Sequence, residues 1–195
     1  MKNNKKIITA AVALVVMVAA GVTTFFIVKG NNGGNGDSGQ SGQEASKGNC
    51  SVFECIEKLN SKMTLAEMND IMGFEGELVT DEDSYKTYSW ELTEDTSIRS
   101  QFMTSYNTAT ISANYPSSAV PKTSDFSRWT EIQSKLRGGE DLYYDEFVEL
   151  VGGTQGVMKQ KSSSSVTYEW ENADGGYLSG YFNDDGKCTM ATGRF

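Results

Sequence analysis

The second half of this chain is a diverged copy of the first half. Both halves should therefore fold into the same arrangement of helices and strands. Residues 87–91 read Thr-Tyr-Ser-Trp-Glu and residues 167–171 read Thr-Tyr-Glu-Trp-Glu, a match at four of five positions. A glycine lies fourteen residues before the tryptophan in both copies, at Gly76 and at Gly156. We therefore predict two tandem repeats, over residues 49–118 and 119–195.

Apolar residues at helical spacing open each repeat. The second repeat keeps the spacing of the first, and a glycine follows in both: Leu65, Met68, Ile71, Met72 and Gly73; Tyr144, Phe147, Leu150, Val151 and Gly152. This pattern predicts an amphipathic helix that ends at glycine. Thr64 and Glu67 predict a capping box in the first repeat, whereas Tyr143 holds the matching place and cannot cap. A further apolar-periodic stretch precedes each helix, so a helical hairpin should open each repeat: Val52, Cys55, Ile56 and Leu59; Phe126, Trp129, Ile132 and Leu136.

Alternating residue patterns predict antiparallel strands in the remainder of each repeat. The alternation covers Ile98, Ser100 and Phe102 in one copy and Leu178, Gly180 and Phe182 in the other, and it continues over residues 109–115 and 189–195. Residues 183–186, Asn-Asp-Asp-Gly, predict a hairpin turn because Asp and Gly tolerate positive φ. Residues 104–107 hold the equivalent place in the first repeat.

The two faces of the predicted sheet differ in their side chains. Large aromatic residues at period two should pack against the helices: Tyr88, Trp90, Tyr168 and Trp170. The opposite face, which we call the open face, has no predicted helix to cover it and carries these residues: Thr87, Ser89, Glu91, Arg99, Gln101, Met103, Thr167, Glu169, Glu171, Tyr177, Ser179 and Tyr181.

The open face has two interpretations. Alternation requires polar residues on one side of a sheet, so a plain solvated surface explains most of it. Tyrosine, methionine and arginine are nevertheless residue types enriched at the cores of protein interfaces. We therefore predict a partner-binding site formed by the open face and by an aromatic residue at a hairpin tip: Arg99, Gln101, Met103, Tyr106, Glu169, Glu171, Tyr177 and Tyr181.

The repeat has the features of a known family. Each copy has a helical hairpin, a glycine after the second helix, a Gly-Glu-Leu or Gly-Val-Met entry into the sheet at residues 76–78 or 156–158, and a Tyr-x-Trp strand. The chain resembles the β-lactamase-inhibitor-protein-like (BLIP-like) envelope proteins of Gram-positive bacteria, which are related to small outer-membrane-assembly lipoprotein domains. The resemblance covers nearly all of residues 49–195.

The resemblance implies a fold and a mode of binding. Two repeats would form one concave antiparallel sheet with the helices on its convex side, and the concave face and hairpin loops would bind an enzyme. The inhibitors of that family insert an acidic hairpin residue into the enzyme, whereas residues 104–107 here, Thr-Ser-Tyr-Asn, contain no acid. With the segment described next, the expected fold class is α+β: an N-terminal transmembrane helix, then two repeats of helical hairpin and antiparallel sheet.

An uncharged apolar stretch over residues 7–28 is long enough to span a bilayer as a helix. Three lysines precede it and Lys29 alone follows it, which places the N-terminus in the cytoplasm and the remainder outside the cell. A cleaved signal peptide is the alternative, since residues 19–21 are small. We predict an anchor over residues 1–30 and, from its Gly, Asn, Ser and Gln content, a flexible linker over residues 31–48.

The composition of the part beyond Lys29 argues against several functions. That part carries 13 of the 17 basic residues and all 26 acidic ones, a net charge of 13 − 26 = −13, which repels nucleic acid. The chain has no histidine, which removes the commonest general base and metal ligand. No cysteine spacing typical of a zinc site and no phosphate-binding glycine loop is present. We therefore predict no enzyme, no cofactor and no metal.

The three cysteines, Cys50, Cys55 and Cys188, permit one disulfide in an oxidising compartment and leave one thiol over. The pairing stays open, and a bond between Cys50 and Cys55 requires Cys50 to lie outside the following helix. The functional prediction is a membrane-anchored extracytoplasmic module that binds a protein partner, as an inhibitor or modulator of an envelope enzyme. The alternative is a structural or assembly factor of the cell envelope.

Overall fold

The structure, a computed structural model, describes residues 47–195. Four α-helices, one 3₁₀ turn and eight strands follow in this order: α1 (Val52–Lys58), α2 (Leu65–Met72), β1 (Glu77–Asp81), β2 (Tyr85–Glu91), β3 (Ser97–Met103), β4 (Thr108–Asn114), the 3₁₀ turn (Ser117–Ala119), α3 (Trp129–Gly138), α4 (Tyr144–Leu150), β5 (Val157–Lys161), β6 (Ser165–Glu171), β7 (Tyr177–Asn183) and β8 (Cys188–Arg194). Each of the strands β5 to β8 begins and ends eighty residues after its counterpart among β1 to β4. The two halves thus share one strand plan.

All eight strands belong to one antiparallel sheet in which neighbours in sequence are neighbours in space, from β1 to β8. The halves meet where β4 pairs with β5, through the Cα partners Ile111 and Lys161 and the Cα partners Ser112 and Gln160. β1 and β5 carry the same irregularity, a register shift between Leu78 and Thr80 and between Met158 and Gln160. β1 and β8 form the two edges of the sheet, which we call free because no other strand within residues 47–195 pairs with them on their outer sides.

The predicted fold class is wrong. We expected an α+β chain with a transmembrane helix and with helical hairpins on the convex side of a concave sheet. The structure is mostly one open eight-stranded antiparallel sheet with four short helices. Helical periodicity does not report the length of a helix, so the prediction gave the helices too large a share of the fold. The four α-helices have only seven to ten residues. Gly73 and Gly139, both in the left-handed region, end α2 and α3.

The membrane anchor predicted over residues 7–28 lies outside the described residues, as do residues 31–46 of the predicted linker. Within residues 47–195, no helix is long and apolar enough to cross a membrane.

The predictions made from local sequence signals, at helix ends and at a turn, agree with the structure better than the predicted fold class does. The predicted capping box of α2 is confirmed, because Thr64 accepts a hydrogen bond from the Glu67 amide and Glu67 accepts one from the Thr64 amide. Tyr143 makes no capping hydrogen bond at the start of α4, as predicted. The turn predicted at residues 183–186 is also present, with the Gly186 amide donating to the Asn183 carbonyl at 3.0 Å.

The core lies between the helices and one face of the sheet, in two clusters centred on equivalent tryptophans. Trp90 is 0% exposed and Trp170 is 1% exposed. Tyr88 packs against the first cluster and Tyr168 against the second, so the predicted orientation of all four aromatic residues is confirmed. Each indole N–H has a partner: Trp90 donates to the Asn69 side chain at 3.0 Å and Trp170 to the Thr154 carbonyl at 2.9 Å. The tryptophans therefore bury large apolar area without an unsatisfied donor.

The structure decides the cysteine pairing that the sequence left open. Cys50 and Cys55 form a disulfide with a Cα–Cα distance of 5.5 Å, and Cys50 lies outside α1, which begins at Val52. Cys188 is a buried free thiol. Burial raises its pKa to about 11, so the thiol stays protonated and unreactive near neutral pH.

Replacing Cys50 and Cys55 together with alanine should lower the free energy of unfolding by about 2 kcal/mol, because a cross-link over so short a loop removes little freedom from the unfolded chain. Urea unfolding measures the difference between the two proteins. A reductant should lower the free energy of unfolding of the wild type to that of the double variant, and it should leave the value of the variant unchanged. Equal stability of the two proteins without reductant would contradict the prediction.

Candidate binding surface on the open face

The open face lies opposite both core clusters, and in the described part of the chain all four helices pack on the other side of the sheet. Arg99 is exposed there, and Gln101, Met103, Tyr177 and Tyr181 are half-buried. Tyr106 lies in the turn between β3 and β4 and is 75% exposed. These side chains are accessible to a partner.

The strand order divides the predicted site residues into two groups. Arg99, Gln101 and Met103 are on β3, whereas the carboxylates and tyrosines are on β6 and β7: Glu169, Glu171, Tyr177 and Tyr181. β4 and β5 separate the groups, and at about 4.8 Å per strand this places them roughly 14 Å apart. Only a partner broad enough to cover several strands would contact both groups.

Glu169 organises the second group. The Tyr177 hydroxyl donates a hydrogen bond of 2.6 Å to one carboxylate oxygen, and the Tyr115 hydroxyl donates one of 3.1 Å to the other. Burial, with the Glu169 carboxylate as a further cause, raises the pKa of Tyr177 to about 12 and that of Tyr115 well above its usual range. Both phenols therefore remain protonated donors at neutral pH, and both rings are held in place.

Glu171 is not available to a partner in the way the sequence suggested. It is only 7% exposed, and its carboxylate accepts a hydrogen bond of 2.6 Å from the Ser117 hydroxyl. Its main-chain carbonyl accepts from the Ser124 amide at 3.2 Å. Glu171 therefore attaches the segment between the two repeats to β6.

A polar recess of about 280 Å³ lies at this end of the open face. Its lining brings together two carboxylates, two cations and the two fixed tyrosines: Glu169, Glu171, Lys122, Arg194, Tyr115 and Tyr177. Opposite charges in one recess suit a peptide or a polar side chain better than an apolar ligand.

Sequence reasoning missed Tyr115, Ser117, Lys122 and Arg194 as parts of this site. Three of them lie at the boundary between the repeats, where periodicity stops, and Arg194 is near the C-terminus. The contacts of Tyr115 and Ser117 with β6 each join residues 54 positions apart. No local pattern reports a contact across that separation.

In the part of the chain that the structure describes, no three His, Cys, Asp or Glu side chains are placed to hold a metal ion. Comparison with protein-family models, curated proteins and solved structures found no match. The resemblance to BLIP-like proteins stays a prediction from the residue pattern.

Proposed function

We propose that the part beyond Lys29 is a protein-binding module, that the open face is its binding surface, and that the apolar N-terminal segment holds it at the outer side of the membrane. The observation that carries the proposal is the residue content of a sheet face that no helix covers within residues 47–195. This face presents half-buried Tyr177, Tyr181 and Met103 together with exposed Arg99. Aromatic residues, Met and Arg are the types that dominate binding energy at interfaces.

The geometry of the Glu169 cluster supports binding because it is preorganised. Tyr177 and the buried Tyr115 both donate to Glu169, so the half-buried ring of Tyr177 loses little rotational freedom when a partner contacts it. Association normally costs about 0.5–1.5 kcal/mol for each flexible side chain that it immobilises. Residues that the fold has already ordered avoid most of that cost.

Charge indicates the kind of partner. The net charge of −13 beyond Lys29 accelerates encounter with a protein that presents a basic surface, and this acceleration weakens as salt rises. We propose such a protein, an enzyme of the envelope, which the module inhibits or modulates in a discrete and reversible complex.

Replacing Arg99 and Tyr181 together with alanine should reduce retention of the partner at least about tenfold, the result of losing one or two interface residues worth more than 1 kcal/mol each. Affinity capture from a solubilised envelope fraction, with the full chain as bait, measures retention. The melting temperature should change little because neither side chain belongs to a core cluster.

The matched control replaces an arginine and a tyrosine outside the open face, Arg128 and Tyr143, with alanine. Tyr143 is 48% exposed, and Arg128 only pairs with Glu131 on the surface. The control should retain the partner as the wild type does. Equal loss in both double variants, or no retained protein with the wild type, would remove the open face as the binding surface.

A structural or assembly factor of the envelope is the second candidate. The observation in its favour is that exposed apolar side chains collect at the two free sheet edges, with Leu78 at 45% and Phe195 at 60% exposure. An assembly factor would co-fractionate with a large complex, whereas a modulator would elute with one enzyme. Size fractionation of the captured material separates the two.

A further inference from the structure

Exposed apolar side chains are concentrated at the two free edges of the sheet. On β1, Leu78 is 45% exposed and Val79 is 53% exposed; on and directly after β8, Met190 is 48% exposed and Phe195 is 60% exposed. Neither strand contains lysine or proline, two residues that commonly protect edge strands from pairing. Charged residues stand only at the ends of the strands, Glu77 and Asp81 on β1 and Arg194 on β8, and the register shift of β1 also occurs in β5, which does pair with β4. These features therefore leave the middle of each edge able to pair with another strand.

The junction between the repeats shows what covers these positions when a neighbour is present. Eighty residues separate equivalent positions, so Leu78 corresponds to Met158 and Phe195 corresponds to Tyr115. Met158 packs against the first core cluster, and Tyr115 is only 7% exposed. The same positions are thus covered inside the chain and exposed at its outer edges.

The positions of the helices show the same difference between the covered junction inside the chain and the exposed outer edge. α1 contacts both β4 and β5, so it bridges the strand that ends its own repeat and the strand that begins the next one. α3, which opens the second repeat, contacts β8, the last strand of the described chain. Within residues 47–195, no strand lies beyond β8 in the place that β5 occupies beside β4.

We propose that the chain associates head to tail with a second copy of itself, with β1 of one copy pairing antiparallel to β8 of the other in the register of the β4–β5 junction. In that register Thr80 lies opposite Thr192, as Gln160 lies opposite Ser112. Asp81 lies opposite Ala191, as Lys161 lies opposite Ile111. Leu78 then packs under α3 of the neighbouring copy, as Met158 packs against the first core cluster.

The proposed junction would bring the acidic end of β1 near the basic end of α3. Inside the chain, the Lys161 ammonium donates to the Glu57 carbonyl in the last turn of α1 at 3.0 Å. The counterpart of Lys161 is Asp81, and the last turn of α3 carries Lys135 and Arg137. Within one copy Asp81 pairs with Lys86, and Lys135 pairs with Glu140 and Glu146. The acidic end of β1 would therefore approach a basic helix end as partly paired charges of opposite sign, which favours the pairing without fixing its register.

The pairing is heterologous, because each copy uses two different edges. One edge of each copy stays free after the first contact, so the association continues into an open series or closes as a ring. A cysteine on β1 of one chain and on β8 of another would record a single contact as a covalent dimer, which makes the proposal testable by mixing.

The test uses full chains in a mild detergent, one carrying Thr80→Cys and the other carrying Thr192→Cys. Directly opposed residues of antiparallel strands have Cα atoms about 4.5–5.5 Å apart, within the range that a disulfide accepts. Under mild oxidation the mixture should form a disulfide-linked heterodimer, and each variant alone should stay monomeric on a non-reducing gel. The native Cys188 is buried and Cys50 is bonded to Cys55, so the introduced thiols are the reactive ones.

Two further substitutions test whether the cross-link depends on the proposed pairing. Adding Leu78→Asp to the Thr80→Cys chain should lower the heterodimer yield at least about tenfold, because the pairing buries that position and a buried unpaired charge is costly. Tyr106→Asp in the same chain is the control and should leave the yield unchanged, since Tyr106 is 75% exposed in the turn between β3 and β4, and β2 separates those strands from the pairing edge β1. Cross-linking of Thr192→Cys chains with each other would overturn the proposal in favour of symmetric edge pairing. Absence of heterodimer in the mixture, or a yield that Leu78→Asp does not change, would also overturn it.

Discussion

Replacing Trp170 with alanine should lower the free energy of unfolding by about 3–5 kcal/mol. The side chain is 1% exposed, and it contacts the rings of Phe147 and Phe182 at centroid distances of 5.0 and 6.4 Å. Truncation removes this burial and leaves a cavity between α4 and the sheet. It also removes the donor for the Thr154 carbonyl, which the indole N–H meets at 2.9 Å.

Urea unfolding followed by far-ultraviolet circular dichroism measures this loss, since the variant lacks one fluorophore. Trp129→Ala is the matched control: Trp129 is half-buried and packs against the exposed ring of Phe195. Its replacement should cost clearly less, about 1–2 kcal/mol. Equal losses in the two variants would show that the core of the second repeat is not centred on Trp170.

A second large effect is expected where the chain passes against the same tryptophan. A Cβ added at Gly156 would lie 2.5 Å from Trp170 Cζ2 and 2.8 Å from Tyr168 Cβ. Trp170 is fully enclosed and has no room to move away, so Gly156→Ala should destabilise the protein by about 1–3 kcal/mol or more through overpacking. Gly76 lies against Trp90 in the same way, with a Cβ distance of 2.5 Å to Cε2. The glycine fourteen residues before each tryptophan is thus a packing requirement.

Gly138→Ala is the control for this substitution. At the end of α3 a Cβ would meet nothing closer than 3.7 Å, and alanine favours a helix over glycine by up to about 1 kcal/mol. Thermal unfolding should therefore show an unchanged or slightly raised melting temperature for Gly138→Ala and a clear drop for Gly156→Ala. A Gly156→Ala protein as stable as the wild type would mean that Trp170 does not contact that glycine.

Two surfaces of the molecule carry separate proposals, and different residues test them. The open face is proposed to bind a partner protein through Arg99 and Tyr181, while the edges β1 and β8 are proposed to bind further copies of the chain through Leu78 and the strand around Thr192. Edge pairing would extend the sheet in its own plane, so it leaves the open face of each copy accessible. A self-associating series would then present many copies of the same binding face, which raises avidity without any new contact.

The predicted binding site shows the limit of pattern reading. Alternation correctly placed Tyr177 and Tyr181 on the open face, and it also placed Glu171 there. Alternation does not report what else lies on that face, and the segment around Ser117 covers Glu171. The fold class failed for a related reason, since periodicity identifies an apolar stripe but neither the length of a helix nor the extent of a sheet.

The sequence by itself determined the features that depend on residues close together in the chain. The capping box of Thr64 and Glu67, the turn at residues 183–186 and the inward direction of Trp90 and Trp170 each follow from side-chain chemistry within a few positions. The repeat itself was visible because matching residues recur at a constant spacing.

Tertiary structure alone decided which distant residues meet. The pairing of β4 with β5, the capture of Tyr115 by Glu169 and the exposure of Leu78 and Phe195 at free edges depend on packing between elements far apart in sequence. Such contacts form through burial and shape, which a local pattern does not encode.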